Sequence, residues 1–96
     1  MANRTLITLD LSITNIPDSS EKRADFYEKL KELHWVKIRG VTTGWKISWE
    51  EGSGVTASIV ASTIKSDLKA AATAAEVSMS SVTAIWQTGP WDLERV

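Results

Sequence analysis

The run Thr5-Leu6-Ile7-Thr8-Leu9-Asp10-Leu11-Ser12-Ile13 alternates with a period of two, the pattern that an extended strand sorts onto two faces. Ile7, Leu9, Leu11 and Ile13 fall on one face, and Leu6, Thr8, Asp10 and Ser12 on the other. Aspartate is a poor strand former, so Asp10 calls for a reason. The candidates are a solvent-facing position, a hydrogen-bonded structural role, or a metal or substrate site.

Beyond this strand, Asn15-Ile16-Pro17-Asp18 reads as a turn, and Asp18 with Glu21 makes a D-x-x-E variant of the capping box. A helix is predicted from Ser19 to about His34, with Phe26, Tyr27, Leu30 and Leu33 inward. Period two returns in Trp35-Val36-Lys37-Ile38-Arg39, is interrupted at Gly40, and resumes over 44–50 with Trp45, Ile47 and Trp49 on one side. Two short strands or one bent strand fit. Over 55–61 the alternation of Val55, Ala57, Ile59 and Ala61 predicts a further strand, entered by a hairpin loop at Glu51-Gly52-Ser53-Gly54. The same stretch also contains a helical stripe, Ala57, Val60, Ala61, Ile64 and Leu68. The preponderance of Val, Thr and Ile favours the strand, followed by a helix over 62–76 with Ile64, Leu68, Ala71, Ala72 and Ala75 inward. Residues 81–88 read as a last strand, ended by Gly89-Pro90.

The predicted fold is therefore α+β, a ferredoxin-like βαββαβ sandwich of the split βαβ type, with an antiparallel sheet and both helices on one face. Ninety-six residues suit a single domain, 1–96. The uncovered sheet face is expected to carry Leu6, Thr8, Asp10, Ser12, Thr56, Ser58, Val60, Thr83 and Ile85. That mixture is too apolar for plain solvent and too polar for a core, so it reads as a contact surface, most simply of a homodimer.

Composition narrows the chemistry. Eleven Lys and Arg against twelve Asp and Glu leave a net charge of -1, so any nucleic-acid binding has to be local. No cysteine is present and a lone histidine cannot build a zinc site in one chain. No apolar run approaches the ~20 residues that span a bilayer, and no secretory leader is recognisable, so no membrane partner and a cytoplasmic location are the expectations.

Several segments together resemble a known family. The strand Leu6-Ile7-Thr8-Leu9-Asp10-Leu11, the helix end Leu30-Lys31-Glu32-Leu33 followed by His34-Trp35, the strand opening Thr43-Gly44-Trp45, and Ile64-Lys65-Ser66-Asp67-Leu68 are similar to the small ferredoxin-like proteins related to the CRISPR-associated second Cas protein, including SinR-like proteins. The resemblance implies a dimer in which Asp10 lies near the two-fold axis and holds a divalent metal for nuclease chemistry. Kinship to the antitoxin ribonucleases of type V toxin–antitoxin systems implies RNA cleavage. The connection over 14–20 and the stretch over 51–61 depart from the family pattern.

Chemistry gives Asp10 a metal or catalytic role on these terms: Mg²⁺ prefers carboxylate oxygen and needs only one or two protein carboxylates, so two copies of Asp10 across an axis suffice. Against this stands a structural reading, in which Asp10 hydrogen-bonds neighbouring Thr or Ser hydroxyls or caps a nearby turn. Lys37, Arg39 and Lys46 form a basic cluster with no acid between Glu32 and Glu50, beside Trp35 and Trp45. Cations with aromatics suit single-stranded RNA or DNA, while a charged edge strand that repels other edges explains the same residues. His34 follows a helix C-terminal turn, where the dipole favours an imidazolium and explains it without catalysis, with a general-base role as the alternative. The tryptophans are expected to be core or interface anchors, with Trp91 in the tail free to dock on its own domain or a partner. Two functions are consistent with these residues: a dimeric, Mg²⁺-dependent nuclease or nucleic-acid-processing protein built on Asp10, or a non-catalytic module, antitoxin-like or inhibitor-like, that binds protein through the open sheet.

Overall fold

A computed structural model describes residues 4–13, 17–38, 40, 43–49 and 55–89. Four strands and two helices run in the order β1 (Arg4–Leu11), α1 (Ser19–Glu32), β2 (Val36–Lys37), β3 (Gly44–Ser48), α2 (Ala57–Ala75) and β4 (Val82–Gly89), with a short 3-10 turn at Met79–Ser81. The sheet order is β2-β3-β1-β4, and every pairing is antiparallel. Since β1 and β2 flank β3, and β3 and β4 flank β1, each helix connects two parallel strands with a third inserted between them. This is the split βαβ, ferredoxin-like arrangement expected from the sequence.

β1 sits at the centre, and its odd residues make the floor of the core: Thr5, Ile7, Leu9, Leu11 and the following Ile13 are all buried. Each such aliphatic side chain contributes about 1.5–3 kcal/mol on burial, so a one-residue slip that turned this row outward is closed to the fold. Phe26 and Leu30 of α1, Trp35, Trp45 and Ile47 complete the core with one stripe of α2: Val60, Ile64, Leu68, Ala71, Ala72 and Ala75. The small alanines on that stripe let α2 lie close to its neighbours.

Two local expectations are corrected. Residues 57–61 are not a strand but the first turns of α2, a single helix of 19 residues. Thr56 starts it: in an extended conformation (φ −109°, ψ 164°), its Oγ1 accepts the Ile59 backbone N–H at 3.2 Å. Burial decides between the two periods, because Val60 is 2 % exposed whereas Ile59, which the strand pattern shares with Val55, is 46 % exposed. Tertiary packing on the helical stripe outweighs the β propensity of Val, Ile and Thr. Thr56, Ser58 and Val60 consequently leave the open sheet face. The hairpin loop expected at 51–54 lies outside the described residues. Of the strand options for 35–50, two short strands form.

The second correction concerns Asp18. It precedes α1 as expected but adopts a left-handed conformation (φ 58°, ψ 29°) and makes no side-chain capping bond. A capping carboxylate reaches the first free N–H groups from an extended backbone, so the D-x-x-E box does not form. The carbonyl of Asp18 still accepts the N–H of Lys22 at 2.9 Å.

Candidate functional site

The face of the sheet opposite the helices is assembled by register. One cross-strand row runs Val36, Lys46, Leu6, Gln87, the next Gly44, Thr8, Ile85, and a third pairs Asp10 with Thr83. The centre is uncharged and half apolar, with Ile85 70 % exposed beside Leu6, Thr8 and Gln87, which line a shallow depression with Trp86. Lys46 lies toward one end of this face and Asp10 toward the other.

Asp10 is exposed, and its Oδ2 accepts the Ser12 hydroxyl at 3.3 Å. Its cross-strand partner on β4 is Thr83. Among the described residues no group of three or more His, Asp or Glu side chains is placed to hold a metal ion. A cation at Asp10 would lean on hydroxyls, water or a second copy of the chain.

The basic residues are divided between the layers. Lys46 faces the open side, whereas Lys37, the cross-strand partner of Trp45, faces the helix side with Trp45. Its Nζ lies 4.9 Å from the Trp45 ring centroid and 5.5 Å from that of Tyr27. Burial lowers the Lys37 ammonium pKa from the usual 10.5, and the like charge of Lys31 adds to this; the two ring faces act in the opposite sense by stabilising the cation. Arg39 lies outside the described residues. The structure thus does not bring Lys37 and Lys46 onto one surface.

His34 is exposed at φ 72°. Its N–H bonds to the Lys31 carbonyl at 3.1 Å, and the next N–H, of Trp35, reaches back to Leu30 at 3.0 Å. This is a Schellman closure of α1, with buried Leu30 and Trp35 as its hydrophobic contact. Its left-handed position at the end of α1 accounts for the residue.

Among the described residues, Trp35 and Trp45 lie in the core and Trp49 and Trp86 pack against it. The Trp35 indole N–H donates to Asp67 Oδ2 on α2 at 2.8 Å, a role for Asp67 that its sequence context does not reveal. Trp45 packs against Trp35 with ring centroids 6.5 Å apart, and its own buried N–H finds no acceptor among the described residues. Trp49, the residue after β3, donates to Thr5 Oγ1 at 2.8 Å, and Thr5 shares a 2.8 Å hydrogen bond with Thr88, tying the end of β3 to β1 and β4. Near Thr88, an open groove of about 330 Å³ lies between β4 and the start of α2, lined by Val55, Thr56, Val60 and Trp86 among others. Trp91 lies outside the described residues.

Among the described residues no helix is long and apolar enough to cross a membrane. No protein-family model matches the chain, and neither curated proteins nor solved structures match it.

Proposed function

We propose that the chain is a protein-binding module whose open sheet face receives a protein partner. The observation that carries this reading is the uncharged patch centred on Ile85, 70 % exposed between Leu6, Thr8 and Gln87. Charge is depleted at the core of protein interfaces and retained at their rims, which is how Asp10 and Lys46 are placed here. A photo-crosslinking side chain at Thr8, compared with one at exposed Lys69 on α2, tests it in extracts of the source cells. Adducts confined to the Thr8 position support the reading. Equal labelling at both positions, or none at Thr8, refutes it.

A second reading rests on the resemblance to the second Cas protein and the type V antitoxin ribonucleases, and on Asp10 lying exposed on the same face as Lys46. In it the protein is a homodimeric, Mg²⁺-dependent endonuclease acting on RNA or DNA. Asp10→Asn keeps size and removes the charge a hard cation requires. Cleavage of single-stranded RNA or DNA in Mg²⁺ or Mn²⁺ that vanishes in the variant, at an unchanged thermal midpoint, would place this reading first. Strand binding across the open face would lose about one unit of salt slope in Lys46→Met and none in Lys37→Met. A wild type that cleaves nothing in either metal removes the nuclease reading.

A further inference from the structure

The two edges of the sheet are built differently. β2 is an edge of two residues, and one of them is Lys37; short length and lysine are both devices that discourage edge-to-edge pairing. β4 is the opposite edge, eight residues long, and it has neither device. From Val77 to Gly89 the sequence holds no charged residue, and β4 itself has no proline. Val, Thr, Ile and Trp make it a strong strand former. Among the described residues no strand pairs with its outer side.

The register fixes which backbone groups that outer side offers. Ser12 N–H donates to the Ser81 carbonyl at 2.9 Å, so this opposed pair is a hydrogen-bonded one. Bonded pairs recur at every second residue of an antiparallel ladder, which assigns Thr83, Ile85 and Gln87 to bonding with β1. The N–H and C=O groups of Val82, Ala84, Trp86 and Thr88 therefore point away from the sheet.

We propose that β4 pairs antiparallel with β4 of a second copy, about a two-fold axis at Ile85, to give one continuous eight-stranded sheet. The inference goes beyond the proposed function, because it concerns the edge rather than the face; it is compatible with a protein partner on the face and excludes a cation shared by two copies of Asp10. In this register Ala84 bonds with the partner's Trp86, and Val82 with the partner's Thr88, so every outward group of β4 is satisfied. The small Ala84 side chain leaves room for the partner's half-buried indole on the helix side. Ile85 meets the partner's Ile85 as a non-bonded pair, the type with the closest side-chain contact. A shift of the axis to Trp86 would set Val82 against the partner's Pro90, which has no N–H; a shift to Ala84 would set Thr88 against Ser80, outside the strand. Both alternatives lose bonds that the Ile85 register keeps.

Sedimentation and amide hydrogen exchange on the intact chain test this together. The expected result is a two-chain mass at micromolar concentration, with exchange at Val82, Ala84, Trp86 and Thr88 slowed about tenfold or more as the dimer forms. Ile85→Lys and Ile85→Glu, at an exposed position, should each be folded monomers through like-charge repulsion at the axis, and an equimolar mixture should restore the two-chain mass. A wild type that stays monomeric overturns the proposal. So does a dimer in which those four amides still exchange fast, because its contact lies elsewhere. Slow exchange in a monomer also overturns it, since the edge is then occupied by residues 90–96 or by a foreign extended peptide.

Discussion

Trp35 and Trp45 offer a matched experiment on what an indole N–H is worth in this core. Both side chains are buried, at 2 % and 1 % exposure, and they touch one another, so Trp→Phe deletes the same atoms from nearly the same surroundings. The cavity and transfer terms are similar in the two variants and largely cancel in their difference. What differs is the hydrogen bond. Trp35→Phe removes a 2.8 Å bond to the Asp67 carboxylate, and bonds to charged groups contribute about 1.5–3 kcal/mol; partial exposure of Asp67 lets water take over some of this, which favours the low end. Trp45→Phe removes a donor that is buried without a partner among the described residues, and so recovers part of a desolvation penalty of about 1–3 kcal/mol. The phenyl ring still lies beneath the Lys37 ammonium, so most of that attraction survives. Trp35→Phe should therefore be the more destabilising by about 2–3 kcal/mol. Urea unfolding followed by far-ultraviolet circular dichroism, with equal m-values in both variants, reads the difference as a shift in midpoint. Equal losses in the two variants, or a larger loss at Trp45, would refute the assignment of these two N–H groups.

The local structure sets three further outcomes. Thr56→Ala should cost about 1 kcal/mol, lowering the thermal midpoint by about 4–8 °C, because it strips the cap that starts α2; no loss would contradict a helix beginning at Ala57. His34→Gly should stabilise by about 0.5–1 kcal/mol in a calorimetric scan, since a left-handed residue costs about 1–2 kcal/mol that glycine avoids, less glycine's extra unfolded-state entropy. For Lys37 the folded pKa lies below the unfolded value of 10.5, so between the two the unfolded chain binds more protons and stability rises with pH as the penalty on the buried charge is relieved. Wild type should gain stability relative to Lys37→Met in urea midpoints measured from neutral pH up to 10.5.

Where one face of an element is firmly buried, spacing alone reveals it. The odd residues of β1, the Phe26 and Leu30 face of α1 and the alanine stripe of α2 are legible this way, because a slip in any of them would expose apolar area; β4, which has no fully buried residue, is legible instead from its run of strand-forming residues. Residues 57–61 are ambiguous because Val55, Ala57, Ile59 and Ala61 satisfy a period of two while Val60 and Ile64 satisfy 3.6, and only the packing of α2 against α1 and the sheet chooses between them. Asp18 stands where the pattern puts it but lacks the expected bond, since backbone conformation and not residue type decides whether a cap forms. The cluster of Lys37 and Lys46 looks continuous in sequence, yet the two lie on different strands and face opposite sides of the sheet. Period two, which sets Lys37 on the face of buried Trp35 and Lys46 on the face opposite buried Trp45, is the signal that separates them. The link from Trp35 to Asp67 spans 32 positions and leaves no local trace.

The edge and the face also constrain each other. Pairing through β4 places two β4 strands between β1 and the partner's β1, and at about 4.8 Å per strand spacing the two central strands stand about 14 Å apart. Asp10 and the partner's Asp10 are then further apart still, because each lies two residues from the level of Ile85, on opposite sides of the axis. A single Mg²⁺ takes its oxygens at about 2.1 Å and cannot join carboxylates across that distance. A shared cation at two copies of Asp10 instead requires the open faces to meet, which would cover Ile85 and leave the outward amides of β4 free to exchange. The exchange rates of Val82, Ala84, Trp86 and Thr88 in the dimer thus decide between two assemblies with different chemistry. Slow exchange leaves the open face uncovered for a protein partner, and fast exchange in a stable dimer is what a metal shared by two carboxylates would need.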